Sequence, residues 1–234
     1  MAYDKRLDGR KFDESRQIEA KVGVIEKASG SAMFRIGKTI AVAAVHGPRQ
    51  LYPQAIQDPN QGVLRCNYNM LAFSGSGDRV KPGPSRRSKE ISLVTEKALL
   101  PVVDLIPFAG SVVDVFVELI QTDAGTRCAG ISAAAMALAD AGIPMSDLIS
   151  SVAVGKVGGK IVLDLSKEEE DYEGGATDIA TAMSTRTGKI TLLQMDGDVS
   201  KEELKKALDL AKKGCEKIKE IQIRALKEKY GALK

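Results

Sequence analysis

Residues 112–138 constrain this chain more than any other stretch. Residues 112–120 are rich in β-branched and aromatic side chains and read as a buried strand. Residues 129–138 are almost entirely small, the composition of a helix packed tightly on a sheet. Between them stands Asp123-Ala124-Gly125-Thr126-Arg127. The order is therefore strand, glycine turn, helix. Gly125 lets the turn close, and Thr126 is placed to cap the helix. The first free N–H groups, with Arg127 beside them, suit a phosphate oxyanion. The same residues also suit an ordinary helix start with a solvated arginine, so the motif needs company before it means function.

The rest of the chain frames this junction. Residues 18–27, 32–36, 38–46 and 63–73 read as strands, with a long polar loop over 47–62. A glycine- and proline-rich loop, 74–84, leads to a helix starting near Ser85. Arg86 and Arg87 occupy that helix's first turn, where the macrodipole disfavours cations by about a few tenths of a kcal/mol each. A polyanionic ligand would remove the conflict; screening by solvent or pairing with a carboxylate would also do so. The small-residue helix stops at Ala141-Gly142-Ile143-Pro144. Residues 151–157 and 160–165 read as a hairpin, 168–175 as an acidic loop, and 179–183 and 189–195 as paired strands. Ser200 and Glu203 form a capping box for a last helix whose apolar stripe is Leu204, Leu208, Ala211, Cys215, Ile218, Ile221 and Ala225.

This pattern is α+β, with two related β-α-β halves, mixed sheets packed against helices, and no linker. We read one domain over 1–234, its pseudo-duplicated halves falling at roughly 1–108 and 109–234. At 44% hydrophobic and 28% charged residues, the composition is that of a globular protein. No apolar run is long enough for a membrane span and no signal-type segment opens the chain, so a cytoplasmic protein without membrane association is expected. Cys66, Cys128 and Cys215 are widely spaced, which argues against a disulfide framework or a zinc site. His46 is the only histidine, which removes Ser-His-Asp and Cys-His catalysis unless it serves itself. Its setting at a strand end is structural. A net charge of +3 implies no broad nucleic-acid surface.

Three features share one chemistry: the anion pocket at Gly125, Thr126 and Arg127, the basic helix start at Arg86 and Arg87, and Asp171 and Asp178 flanking a glycine turn. Phosphoryl transfer needs donors for phosphate oxygens, cations against developing charge, and a carboxyl group that handles a proton or a metal. No Walker-type segment is present, so a P-loop mechanism is disfavoured.

Arg6-Leu7-Asp8-Gly9-Arg10, Pro84-Ser85-Arg86-Arg87-Ser88-Lys89-Glu90-Ile91, Asp123-Ala124-Gly125-Thr126-Arg127, Ala139-Asp140-Ala141-Gly142-Ile143-Pro144 and Ser151-Val152-Ala153-Val154-Gly155 together resemble the RNase PH family. The nearest branch is that of the catalytic subunits of archaeal exosomes. The resemblance spans nearly the whole chain. It implies a phosphorolytic 3′-to-5′ exoribonuclease, in which inorganic phosphate releases nucleoside diphosphates from RNA 3′ ends and the reverse reaction adds 3′ tails. It implies that Arg87, Gly125, Thr126 and Arg127 hold phosphate, and that Arg86 and Arg65 grip the RNA backbone. Asp178, assisted by Asp171, would be the acid or the ligand of a Mg²⁺ ion. The implied partners are single-stranded RNA, a non-catalytic RNase PH-like paralogue completing a hexameric ring as a trimer of dimers, and RNA-binding cap proteins. Two alternatives share the resemblance: a homohexameric RNase PH trimming tRNA 3′ ends, and a non-catalytic RNA-binding ring subunit. Two departures stand out. Asp171 and Asp178 are one position further apart than is usual in the family. Asn67 and Asn69 stand where relatives often carry more basic or histidine side chains, so RNA grip there is expected to be either weaker or supplied by Arg79 and Lys81.

Overall fold

The computed structural model describes residues 3–76, 79–81 and 83–231. Gly77, Asp78 and Pro82 of the expected breaker-rich loop lie outside the described residues. Strands β1 (Ile18–Val22), β2 (Gly30–Ile36) and β3 (Thr39–Gln50) form an antiparallel meander. Strand β4 (Val63–Met70) is followed by helix α1 (Arg86–Leu99) and strand β5 (Ser111–Gln121). Strand β5 inserts between β3 and β4, giving the order β1-β2-β3-β5-β4. It runs antiparallel to β3 and parallel to β4. A parallel pair needs a crossover, and α1 provides it, packing on β4.

Helix α2 (Thr126–Asp140) then leads into a second sheet of β6 (Ile149–Val157), β7 (Lys160–Leu163), β8 (Ala176–Ser184) and β9 (Lys189–Asp196). One turn of helix, α3 (Lys167–Glu170), joins β7 to β8. Its order is β7-β6-β8-β9 and every pairing is antiparallel. Only the first sheet is mixed, because only there does a crossover helix return the chain in parallel. The halves also divide later than 108/109, since β5 belongs to the first sheet.

Helix α2 is the shared wall. Every residue in it except Arg127 and Ala139 is buried, and it touches β2 and β3 on one side and β6 and β8 on the other. Small side chains permit this: a Cβ on Gly130 would stand 3.0 Å from Val117 Cγ1. A single cluster of buried apolar side chains runs through both sheets.

Helix α4 (Lys201–Gly231) covers β1, β6 and β7. Its buried stripe is Ala207, Ala211, Gly214, Cys215, Ile218, Gln222 and Ala225. The expected Leu204, Leu208 and Ile221 are half-buried instead. Close approach selects the small residues, since a Cβ on Gly214 would lie 2.8 Å from Leu163 Cδ1. Gln222 is buried because its amide is satisfied: Ser150 Oγ donates to Oε1 (2.9 Å), and Nε2 donates to the carbonyls of Ser132 and Ile149 (3.1 Å each).

Other boundaries move by a few residues. Strand β3 continues past His46 to Gln50 across a register shift. His46 is half-buried with its ring edge-on to Phe116, at 5.9 Å between centroids. The three cysteines are buried free thiols.

Candidate active site

The turn between β5 and α2 is built from two consecutive left-handed residues, Ala124 (φ 58°) and Gly125 (φ 63°). The left-handed region costs an alanine about 1 kcal/mol or more, so the turn must be held from outside. Thr39 Oγ1 donates to the Ala124 carbonyl (2.7 Å) and accepts from the Asp123 N–H (2.9 Å). Arg16, almost fully buried, donates through Nη1 to the Asp123 carbonyl. The same guanidinium is anchored on Asp164, through Nη2 to Oδ1 at 2.7 Å and Nε to Oδ2 at 2.9 Å.

Gly125 is the N-cap of α2 and no side chain caps the helix; Thr126 is its buried first residue. The capping role expected of Thr126 is thus corrected. A left-handed glycine in the capping position has no side-chain oxygen to offer. The first main-chain bond runs from the Ala129 N–H to the Gly125 carbonyl (3.0 Å), so the N–H groups of Thr126, Arg127 and Cys128 precede the helical ladder. Positive dipole ends of this kind bind anions.

These residues line a cleft of about 450 Å³. Arg87 enters it from the first turn of α1, whose N-cap Ser85 forms a reciprocal capping box with Ser88. Arg127 lies on the same wall, its Nη1 donating to Gln194 Oε1 on β9 (2.7 Å). Lys167 and Glu170 come from α3, Asp178 from β8 and Asp196 from β9. Asp178 and Asp196 face each other directly across the β8–β9 ladder.

Two of these carboxyl groups, Asp178 and Glu170, are held above the ordinary range. Burial raises the Asp178 pKa above the ordinary aspartate value; Asp196 adds to the rise, while Arg127 and Arg87 oppose it. Asp178 Oδ1 is buried with no hydrogen-bond partner. Glu170 is raised to about 7, first by burial and then by Asp178, with Lys167 and Arg16 opposing. A carboxylic acid poised near neutrality can donate or accept a proton at working pH.

The profile of the "3′ exoribonuclease family, domain 1", RNase PH, matches residues 14–144, and its "domain 2" profile matches residues 147–214. The chain belongs to the RNase PH family. Among relatives, the exosome complex component Rrp41 of Methanopyrus kandleri is 52% identical over 226 residues, covering 97% of this chain and 93% of that protein. The Rrp41 component of Pyrococcus furiosus is 51% identical over 97% of this chain and 89% of its own length. An Archaeoglobus fulgidus exosome structure with RNA bound to the active site aligns with a TM-score of 0.78 at 28% identity, covering 93% of this chain and 92% of that one. Rice Rrp46 shares the fold, with a TM-score of 0.80 at 20% identity over 93% of this chain and 98% of that one.

The gap between the two RNase PH profiles, after residue 144, coincides with the step from α2 to β6. Of the site residues expected from sequence, the fold brings Arg87, Gly125, Thr126, Arg127 and Asp178 into one cleft. Asp171 is not among its lining residues. It is exposed, and Lys167 Nζ donates to its Oδ1 at 2.7 Å. The cause is the rotation of α3. Glu169 is buried against Arg6 and Tyr3, with Arg6 Nη2 to Oε2 and Tyr3 Oη to Oε1 at 2.6 Å each. That anchor leaves Glu170 on the cleft side, and Asp171 caps the helix beyond it.

Arg86 is exposed and also outside the lining. Arg65 lies five residues before the cleft residue Met70 on β4, where it and Arg49 share the buried Asp114. Arg79 is exposed, and Lys81 borders a small neighbouring pocket that shares Arg87 and Met70 with the cleft.

Sequence reasoning missed Glu170, Lys167, Asp196 and Gln194. A signal for the first two existed: Ser166-Lys167-Glu168-Glu169 is a capping-box pattern, and the box forms, so a helical turn was readable inside the acidic run. Asp196 and Gln194 alternate on β9 and carry no motif.

Proposed function

We propose that this chain is the catalytic ring subunit of an archaeal exosome and degrades RNA from its 3′ end by phosphorolysis. The observation that carries this reading is the pairing, in one cleft, of an uncapped helix N-terminus flanked by Arg87 and Arg127 with two carboxyl groups of raised pKa, Asp178 and Glu170. The names of the Rrp41 relatives support the exosome assignment.

Inorganic phosphate is held by the N–H groups of Thr126, Arg127 and Cys128 with the side chains of Arg87 and Arg127. One of its oxygens attacks the terminal phosphodiester phosphorus in line. The bond from that phosphorus to the 3′ oxygen of the shortened RNA breaks, and a nucleoside diphosphate leaves. Asp178 or Glu170, in protonated form, gives its proton to the departing 3′ oxygen. Run backwards, the same acid recovers the proton and a diphosphate extends the 3′ end. Arginines and N–H donors supply what in-line displacement needs, namely position and charge compensation.

Asp178 and Asp196, facing each other in the cleft, would hold a Mg²⁺ ion together with phosphate oxygens of the substrate. Among the described residues no three His, Cys, Asp or Glu side chains gather as ligands, and Asp171 is engaged by Lys167. The orphaned Asp178 oxygen and the raised pKa of Glu170 also suit proton transfer, and a bound Mg²⁺ would add charge compensation on the phosphate oxygens.

Arg86 and the Arg49–Arg65 pair would hold RNA backbone upstream of the cleft, giving little sequence preference. The partners in this reading are a non-catalytic RNase PH-like paralogue completing a hexameric ring and RNA-binding cap proteins, in the cytoplasm. Among the described residues no helix is long and apolar enough to cross a membrane.

The test is to assemble the chain with its ring partner and supply 5′-labelled single-stranded RNA with and without phosphate. Nucleoside diphosphates released only with phosphate are expected. Monophosphates released in either case would overturn phosphorolysis.

A further inference from the structure

Among the described residues, three of the four buried or half-buried arginines are neutralised by carboxylates, Arg6 by Glu169, Arg10 by Asp8 and Arg16 by Asp164, and the exposed Arg49 and Arg65 share Asp114. Arg127 is treated differently. Among the described residues no carboxylate lies within ion-pair distance of it, and its side-chain hydrogen bond goes to a neutral amide, Gln194 Oε1 at 2.7 Å. Gln194 Nε2 in turn donates to Glu90 Oε1 at 3.1 Å.

The direction of this relay follows from chemistry. A guanidinium only donates and a carboxylate only accepts, so an amide between them has one orientation available: oxygen toward Arg127, nitrogen toward Glu90. Glu90 lies three residues after Arg87 on α1, hence on the same helix face. The relay thus joins the helix bearing Arg87 to the helix bearing Arg127 through β9, whose Asp196 lines the cleft two residues further on. Gln194 itself is not in the cleft lining.

We propose that Gln194, oriented by Glu90, is a positioning residue that fixes Arg127 at the helix N-terminus while leaving its charge uncompensated, so that inorganic phosphate becomes its counter-ion. The inference deepens the phosphorolytic reading and rests on it. A carboxylate in place of the amide would keep the hydrogen bond and spoil the site, because it would pair with Arg127 and repel phosphate. An amide fixes geometry without spending the charge.

The test uses the chain assembled with its ring partner, with phosphate varied at saturating RNA. Gln194→Ala is expected to raise half-saturating phosphate about ten- to a hundredfold, the effect of one hydrogen bond to a charged group, with half-saturating RNA unchanged. Gln194→Glu should raise it further still, although it can accept the same bond. Glu90→Gln, whose amide oxygen can still accept from Gln194, should restore wild-type behaviour that Glu90→Ala loses. Phosphate saturation in Gln194→Glu equal to wild type would overturn the proposal, as would an equal loss of RNA and phosphate affinity in Gln194→Ala.

Calorimetric titration of inorganic phosphate into the same assemblies keeps the two claims apart. If the wild type degrades RNA without phosphate, the phosphorolytic reading fails. Equal phosphate binding by wild type and Gln194→Glu, or none by the wild type, fails the Gln194 proposal on its own.

Discussion

Glu170 gives the sharpest quantitative test, because its ionisation is linked to folding. Its pKa is about 7 in the folded chain against an ordinary value of 4.5. The folded state therefore binds more protons than the unfolded state between those values. Whatever stability the neutral form supports is fully present below pH 4.5 and lost as pH rises through 7. At about 1.4 kcal/mol per pH unit the displacement corresponds to roughly 3 kcal/mol. Residual solvent at a half-buried side chain reduces this to about 1–2 kcal/mol. Glu170→Gln replaces the group by a neutral near-isostere. It should be more stable than wild type by that amount at pH 8, or about 3–6 °C in melting temperature for a chain of this size. The advantage should vanish at pH 4.5. Paired melts at the two pH values, in fixed salt, decide the matter. A stability difference independent of pH, or a loss at pH 8, would refute the argument that Glu170 is charged against its environment. The same variant should lose phosphorolytic turnover by about a hundredfold or more if Glu170 moves the proton.

Asp178→Asn should lower turnover about a thousandfold while RNA affinity, measured by fluorescence anisotropy, stays within about threefold; joint loss of both would indicate misfolding. Asp171→Asn, by contrast, removes only an exposed pair with Lys167 and should change turnover less than about threefold; a loss as large as that of Asp178→Asn would place Asp171 in the chemistry after all. Gln222→Ala removes an amide that satisfies the Ser132 and Ile149 carbonyls and Ser150 Oγ inside the α2–β6–α4 interface. It should cost about 2–3 kcal/mol in urea unfolding, and a cost under 1 kcal/mol would mean that the polar contacts contribute little.

The two kinds of site residue were not equally readable. Gly125, Thr126 and Arg127 were visible because their chemistry is local: strand, turn and helix are contiguous, and the anion pocket is a property of the helix end itself. Even so, the cap was misassigned. Thr126 looks like an N-cap by residue type, and only the left-handed Ala124–Gly125 pair, held by Thr39 and Arg16 from distant parts of the chain, moves the cap one position back. The sheet order was hidden for the same reason. Nothing local to β5 says that it will enter between β3 and β4, and the half-boundary at 108/109 follows from missing that insertion.

The carboxylates show how a spacing argument fails. Counting residues between Asp171 and Asp178 treats the segment as a ruler, yet the quantity that matters is the rotation of a single helical turn. Each step along a helix turns the side chain by about 100°. Moving the acid by one position therefore exchanges cleft for solvent. The rotation is set by Glu169, whose two carboxylate oxygens are taken by Arg6 and Tyr3 near the start of the chain. Breaking that anchor should act on Glu170 from a distance. Arg6→Met leaves the buried Glu169 without its main cation, keeping only Tyr3, the Ser166 N–H and Arg10 at 3.8 Å, which costs up to about 3–5 kcal/mol, whereas Arg6→Met with Glu169→Gln removes the stranded charge and recovers part of that loss. If α3 rotation positions the acid, the double variant should fold and still turn over RNA as slowly as Glu170→Gln. A folded double variant with wild-type turnover would show that α3 holds its rotation without the anchor.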